Sequence, residues 1–102
     1  MTPYDPYIAY KDLTVDLRAH RVRRAGCELC LTPREFALLA VLVTHCDKAL
    51  SRSQLLEAAW GYAFIGESRT VDVHIKRLRR KLGLENDIQT VYKVGYRLNS
   101  AS

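Results

Sequence analysis

The chain is poor in the residues on which most small enzymes and cofactor-binding domains depend. Its 102 residues include only five glycines and three histidines. No glycine-rich phosphate loop is present, and the histidines fall on three different predicted elements without convergent acids. Ser51 and Ser53 are better explained as a helix cap and a helix-surface residue than as nucleophiles. We therefore expect no catalytic residues, no cofactor and no enzymatic activity.

Long hydrophobic runs are also missing. The longest, Phe36–Val43, is far too short to cross a bilayer. The first ten residues, MTPYDPYIAY, have neither the basic nor the apolar part of a secretory signal. We therefore expect a cytoplasmic location and no membrane partner.

Cysteine is scarce, and its number is odd, which argues against a disulfide framework. Cys27 and Cys30 have CxxC spacing, but no second pair accompanies them, and Cys46 beside His45 is only a loose third site. Residues 27–31 are predicted to form a strand, in which side chains three apart point to opposite faces. We expect no metal site and three buried or half-buried free thiols.

Positive charge, in contrast, is concentrated in one segment. Residues 69–82 hold six lysines and arginines against a single acid, Asp72, and this excess of five equals the net charge of the whole chain. The other 88 residues are therefore close to neutral. Such a concentration favours a polyanionic partner over an acidic protein or a neutral metabolite.

The periodicity of this segment predicts an amphipathic helix. At about 100° per residue, one narrow stripe is apolar and faces a core: Val71, Ile75, Leu78 and Leu82. The opposite face carries Arg69, Val73, Lys76, Arg77 and Arg80, and one flank carries Thr70, His74 and Lys81. A helix of this kind fits the major groove of DNA, where arginine pairs with guanine and a small apolar group touches a thymine methyl. The alternative is a solvated helix in which Asp72 pairs with Lys76.

The first 31 residues favour β-structure. Four short β-prone runs with tight connections predict an antiparallel sheet: Tyr7–Tyr10, Leu13–Asp16, Arg21–Arg24 and Cys27–Leu31. This region carries a second basic cluster of Arg18, Arg21, Arg23 and Arg24. We interpret the cluster mainly as a solvated sheet face, with a phosphate or partner contact as the alternative.

Two capping boxes then predict two helices. Residues 32–35, TPRE, combine a capping box with proline at the first helical position, and the helix should run to about Cys46. Residues 51–54, SRSQ, begin a short helix that continues through Trp60 and ends at Gly61. The loop 61–68 that follows carries Phe64 and Ile65, which either meet a partner or tuck back onto the body.

The chain ends in a predicted hairpin. Strands Ile88–Val91 and Tyr96–Leu98 flank a turn in which Gly95 supplies a positive φ. The order of elements therefore predicts a single α+β domain over residues 1–102, with an ordered core of about 7–99. Its fold class is a winged helix-turn-helix: an N-terminal four-stranded antiparallel sheet, three helices and a C-terminal β-hairpin wing. In such a domain the last helix enters the major groove.

Four successive segments resemble the motifs of the OmpR/PhoB-type effector domain of bacterial two-component response regulators. They are LTPREFALLAVL, LSRSQLLEAAWGY, SRTVDVHIKRLRRKL and IQTVYKVGYRL, and the resemblance runs from about Leu13 to Leu98. It implies sequence-specific binding of double-stranded DNA at direct-repeat sites by head-to-tail dimers, which regulates transcription. It also implies contact with RNA polymerase and control by a sensor kinase through a receiver domain, which this sequence does not contain.

The resemblance assigns roles to individual positions. Those that approach bases are Thr70, Val73 and Arg77, and those that approach phosphates are Arg69, His74 and Lys76. Arg80 belongs to the same cationic face. On the preceding helix, Arg52 and Trp60 match backbone-contacting positions. The wing, residues 91–96, contributes Tyr92 and Lys93, with Thr90 just before it. The polymerase-contact loop contains Tyr62, Phe64, Ile65 and Glu67.

The wing departs from the family pattern, which often reads TVRGxGY. Tyr92 replaces the arginine that commonly enters the minor groove, and Lys93 replaces a glycine. Since a tyrosine cannot follow a narrow, strongly negative groove as arginine does, we expect Lys93 to hold phosphate and the wing to add little base preference.

Two other classes of binding protein remain as alternatives. A winged-helix module that binds only protein is expected to lack the cationic outer face that residues 69–82 carry. An RNA-binding domain would need aromatic residues on a sheet face, for which Tyr7 and Tyr10 are thin support.

Overall fold

The computed structural model describes residues 7–61 and 69–100, which form two antiparallel sheets and three helices. The first four strands are β1 (Tyr7–Tyr10), β2 (Leu13–Asp16), β3 (Arg21–Arg24) and β4 (Cys27–Leu29). They are followed by α1 (Pro33–Thr44), β5 (Leu50–Ser51), α2 (Arg52–Trp60), α3 (Arg69–Leu82), β6 (Ile88–Val91) and β7 (Gly95–Leu98). The predicted winged-helix architecture is confirmed.

The N-terminal sheet has the strand order β1-β2-β3-β4. Its register aligns Ile8, Val15, Val22 and Leu29 in one row, which packs on the core. Side chains that alternate with this row point outward, as the period of two requires. The strand β4 ends at Leu29, two residues before the predicted end, and the other three strands have the predicted bounds.

The cysteines differ from the prediction. Cys27 and Cys30 are exposed, and only Cys46 is half-buried. The reason is that β4 is an edge strand, paired only with β3, and Cys30 lies beyond the strand. Burial raises the pKa of the Cys46 thiol, which donates to the carbonyl of Leu98 at 3.4 Å. In residues 7–61 and 69–100, no group of three or more metal-ligating side chains comes together.

Helix α1 begins at the predicted capping box. The Glu35 amide donates to Thr32 Oγ1 at 3.2 Å, and the Thr32 amide donates to Glu35 Oε1 at 2.9 Å, which satisfies two amides at the helix start. The helix ends at Thr44, slightly before the predicted end, and its buried side chains include Phe36, Leu39 and Val43. Helix α1 contacts both α2 and α3, so it forms the centre of the domain.

The second sheet has the order β5-β7-β6 and contains a strand that the sequence did not predict, β5. The interpretation of Gly95 was wrong: Lys93, with φ of 62°, takes the left-handed conformation in the turn. Gly95 is instead the first residue of β7, paired with Ser51. A Cβ there would overlap the carbonyl oxygen of Leu50 and lie 3.0 Å from Ser51 Cα. Glycine is required because β5 approaches closely.

Helix α3 packs as its periodicity predicts. All four residues of the apolar stripe are fully buried: Val71, Ile75, Leu78 and Leu82. The opposite face is therefore turned to solvent. Over the part of the chain that the structure describes, none of the helices has the length and apolar character needed to cross a bilayer.

Candidate nucleic-acid interface

The outer face of α3 is cationic with an apolar centre. Val73 is 47% exposed, although it is a valine in the middle of a helix. It lines one open cleft of about 210 Å³ together with Lys76, Arg77 and Arg80. Arg69 is exposed at the start of the same helix, and Thr70 is half-buried beside it. Three cations and a methyl-bearing side chain thus share one surface, as predicted.

Two other cations of α3 face the protein. The Arg79 guanidinium donates to the carbonyl of Ile88 through Nε at 3.1 Å and through Nη2 at 2.7 Å, and Nη2 also donates to Thr90 Oγ1 at 2.8 Å. These bonds fasten β6, the first strand of the wing, to α3. Lys81 donates to Glu35 Oε1 at 2.7 Å and so joins α3 to α1. The sequence had placed Lys81 on a flank of the helix.

The carboxyl of Glu35 is unusual because its side chain is only 1% exposed. Burial acts to raise its pKa, but the hydrogen bond and charge of Lys81, together with the bonds from Thr32, outweigh burial, so the pKa lies below its ordinary value. The second oxygen, Oε2, is buried without a hydrogen-bond partner. Lys81 is therefore the cation that compensates a buried charge.

Asp72, the single acid of α3, joins three elements. Its Oδ1 accepts from Arg52 Nε at 2.7 Å and from the Tyr96 hydroxyl at 2.5 Å. Burial acts to raise the pKa of Asp72, but the hydrogen bonds from Tyr96 and Arg52 outweigh it, so the pKa is lowered. The alternative in which Asp72 pairs with Lys76 is wrong, because the nearest cation comes from α2 rather than from the next turn of α3.

Tyr96 is the centre of this network. The Arg52 guanidinium carbon lies 5.2 Å from the centroid of its ring, and that of Arg79 lies 5.4 Å away, distances at which cation–π attraction operates. Burial, followed by the neighbouring carboxylate of Asp72, raises the pKa of Tyr96. The network fixes α2, α3 and β7 relative to one another. Sequence reasoning missed it, and the only signal was the lone acid in a basic helix.

Trp60 and His74 meet where α2 packs on α3. Their ring centroids are 4.9 Å apart in an edge-to-face arrangement. The ring nitrogen Nδ1 of His74 lies 2.9 Å from the carbonyl oxygen of Thr70, one turn earlier. From α1, Arg34 donates to the Ala59 carbonyl at 2.6 Å, and its guanidinium carbon lies 5.4 Å from the centroid of the Trp60 ring. Both predicted phosphate-contacting residues therefore also have packing roles.

The tip of the wing is prominent and weakly charged. Tyr92 is 84% exposed, and Lys93 and Val94 are exposed beside it. The ammonium of Lys93 lies 5.5 Å from the centroid of the Tyr92 ring. Thr90, predicted to contact DNA, uses its hydroxyl to accept from Arg79. Tyr92 and Lys93 thus project from a strand pair that is attached to α3.

The second basic cluster is not one solvated face. The guanidinium of Arg24 donates to the carbonyl of Leu82, the last residue of α3. A cation at this end of a helix binds a carbonyl that has no partner within the helix and interacts favourably with the helix dipole. Arg24 Nε also lies 3.3 Å from Asp12 Oδ1, and Arg21 Nε lies 3.5 Å from Glu28 Oε1. Arg24 therefore anchors α3 to the N-terminal sheet, whereas Arg18 and Arg23 are exposed as predicted.

The residues predicted to touch RNA polymerase, Tyr62, Phe64, Ile65 and Glu67, lie outside the described residues. Of the positions predicted to meet DNA, the structure brings Val73, Lys76, Arg77 and Arg80 together. Arg52 is bound to the carboxylate of Asp72, and Thr90 joins the wing to α3.

Comparison with known proteins agrees with this geometry. The family described as "Transcriptional regulatory protein, C terminal" matches residues 26–98. The transcriptional regulatory protein ResD of Bacillus subtilis is 43% identical over 101 aligned residues, which cover 94% of this chain and 42% of ResD. The chain thus spans less than half the length of this curated relative.

Solved structures resemble the chain along most of its length. The DNA-binding domain of CpxR from E. coli is 30% identical, with a TM-score of 0.83 over 95% of this chain and 99% of that domain. The DNA-binding domain of RstA from Klebsiella pneumoniae, solved in complex with the RstA box, is 35% identical. Its TM-score is 0.79, and the match covers 91% of this chain and 96% of that domain. The chain therefore belongs to the OmpR/PhoB-type transcriptional regulatory proteins, as one of the winged-helix domains that regulate transcription by binding DNA.

Proposed function

We propose that α3 enters the major groove of double-stranded DNA and that the wing lies on the neighbouring backbone and minor groove. The observation that carries this proposal is the cleft formed by Val73, Lys76, Arg77 and Arg80 on a helix whose reverse face is completely buried. A helix held in this way presents cations and one apolar group to a partner without exposing its own core. That combination matches the phosphates and base edges of the groove.

We assign affinity and selectivity to different residues. Lys76 and Arg80, with Arg69 at the start of the helix, neutralise phosphates, so the logarithm of the binding constant should fall by roughly 0.9 per contact against the logarithm of salt concentration. Arg77 would pair with a guanine, while Thr70 and Val73 would approach neighbouring bases. Each good base contact supplies about 1–3 kcal/mol of discrimination.

Further partners are proposed from the relatives. We propose that residues 1–102 form one DNA-binding domain of a longer regulator whose receiver domain is phosphorylated by a sensor kinase in the cytoplasm. Two copies would bind direct repeats head to tail, because one small interface binds weakly and two on adjacent half-sites add up. Loop residues Tyr62, Phe64, Ile65 and Glu67 would contact RNA polymerase. We propose no catalytic role.

The test of the proposed function is selection of binding sites from a random duplex pool. It should return a half-site and a fixed repeat spacing. Failure to enrich any sequence, together with the absence of salt-sensitive binding to duplex DNA, would favour a winged helix that binds only protein.

Arg77→Ala should then relax the preference at one or two positions of the selected site, by about 1–3 kcal/mol per base pair. Competition titrations with single-base variants of that site measure the change. Lys76→Ala is the matched control, since loss of a phosphate contact should weaken all duplexes equally. Unchanged discrimination in Arg77→Ala would refute its assignment to base recognition.

A further inference from the structure

The tip of the wing, residues 91–95, is mainly aromatic and aliphatic where it is exposed. Among the residues described by the structure, the large hydrophobic side chains with high exposure are Tyr7, Val73, Tyr92 and Val94. Three of these four lie on the recognition helix or on the tip of the wing. Exposed apolar side chains on the elements of a candidate interface indicate a contact surface.

The position of the tip is fixed. The amide of Val94 donates to the carbonyl of Val91 at 3.0 Å, which closes the turn. Arg79 ties β6 to α3 through Ile88 and Thr90, so the first strand of the wing is attached to that helix. Tyr92 directly follows β6, two residues after Thr90, so its ring projects from a strand that is bonded to α3.

Charge at the tip is limited to one side chain. Lys93 is its single cation, and its ammonium lies 5.5 Å from the centroid of the Tyr92 ring. The ammonium can therefore bind a phosphate while the ring beneath it meets a less polar part of the same strand. In DNA that part is the deoxyribose, which lines the walls of the minor groove.

We propose that Tyr92 packs its ring against deoxyribose at the edge of the minor groove, without entering it as arginine does, and supplies affinity that does not depend on salt, while Lys93 makes the phosphate contact of the wing. This inference rests on the proposed function, which places the wing on DNA. The physical basis is that a neutral ring displaces no condensed counterions, so its contribution comes from buried area alone. The arginine that the family often has at this position would instead add a cation and make binding depend more steeply on salt.

The test measures the affinity of the chain for the tightest duplex recovered from the random pool, from about 50 mM to about 300 mM KCl. Tyr92→Ala should bind about tenfold more weakly at every salt concentration, with an unchanged slope. Tyr92→Phe should bind within about twofold of the original chain, because the ring remains. Tyr92→Arg should steepen the slope by about 0.9, and Lys93→Ala should flatten it by about the same amount.

Tyr7→Ala is the matched control, because Tyr7 is another exposed tyrosine, 57% accessible, on the N-terminal sheet. It should leave both affinity and slope unchanged. Three results would overturn the inference: full affinity in Tyr92→Ala, a slope changed by that variant, or a loss in Tyr92→Phe equal to that in Tyr92→Ala. If one of these results were obtained while Arg77→Ala still lost discrimination between base pairs, the inference about Tyr92 would fail and the proposed function would stand. The failure of one is therefore distinguishable from the failure of the other.

Discussion

Two groups of cations on the same helix behave differently. Lys76, Arg77 and Arg80 line an open cleft, whereas Arg79 and Lys81 donate to acceptors within the protein. All five lie within six consecutive residues, and their side-chain types are the same. The net charge of α3 therefore overstates the charge that its outer face offers to a partner. Part of that charge holds the helix in place.

The distinction has an energetic cause. An outward cation remains hydrated in the free protein, so it contributes little to folding. An inward cation meets an acceptor that has lost water, and its removal leaves that acceptor uncompensated. Substitutions in the two groups should therefore separate stability from binding.

The largest effect should come from Lys81→Ala, which leaves the buried carboxylate of Glu35 unpaired. We expect the free energy of unfolding to fall by about 2 kcal/mol, less than for a fully buried pair because Lys81 is itself partly exposed. Urea denaturation measures it. Arg80→Ala is the matched control and should change stability by less than about 0.5 kcal/mol. Equal losses in the two variants would contradict the division of the helix into two groups.

The double variant Glu35→Gln/Lys81→Ala sharpens this result. Removal of the buried charge should recover part of the stability lost in Lys81→Ala, since a neutral amide costs less to bury than a carboxylate. Absence of any recovery would mean that Lys81 contributes through packing of its alkyl chain alone.

A smaller loss is expected for Asp72→Asn, which replaces the shared acceptor of Arg52 and Tyr96. The free energy of unfolding should fall by about 1 kcal/mol at neutral pH. Because the folded pKa of Asp72 lies below the ordinary value of 3.8, its contribution is complete above that value and is lost as pH falls through the folded pKa. The difference between the two proteins should therefore shrink in acid unfolding below about pH 4. A constant difference would exclude the carboxylate as its source.

The salt dependence of DNA binding compares the two groups directly. Arg80→Gln should flatten the slope by about 0.9, since one phosphate contact is lost. Lys81→Gln should leave the slope unchanged, because its ammonium is committed to Glu35. The affinities of both variants are measured on the same duplex, under conditions in which each variant is still folded. A flatter slope in Lys81→Gln would show that this ammonium leaves Glu35 for DNA.

Local patterns in the sequence predicted most of the fold. The period of 3.6 identified the buried stripe from Val71 to Leu82, and the capping boxes located the start of α1 and α2, because both signals depend on neighbours within one turn. The partners of Arg79 and Lys81 were not predictable, since their acceptors, Ile88 and Glu35, are brought close only by tertiary packing. The strand β5 was missed because two residues are too few to show a period.

The roles of Gly95 and Cys27 were also not predictable from local sequence patterns. Gly95 was correctly noticed but given the wrong reason, because the approach of β5 to β7 is a long-range contact. The exposure of Cys27 could not be read from its type, since it depends on the strand order that leaves β4 at an edge. In the candidate interface, the outward face of α3 followed from local periodicity, and the network around Tyr96 did not.

The smallest effect should come from His74, which packs where α2 meets α3. Its ring meets Trp60 edge to face at 4.9 Å, and its Nδ1 lies 2.9 Å from the Thr70 carbonyl oxygen, so packing explains its position without a phosphate. His74→Phe keeps an aromatic ring against Trp60, and we expect affinity for DNA within about twofold. A loss of about tenfold in affinity together with a flatter salt slope in His74→Phe would instead place His74 among the cations that face DNA.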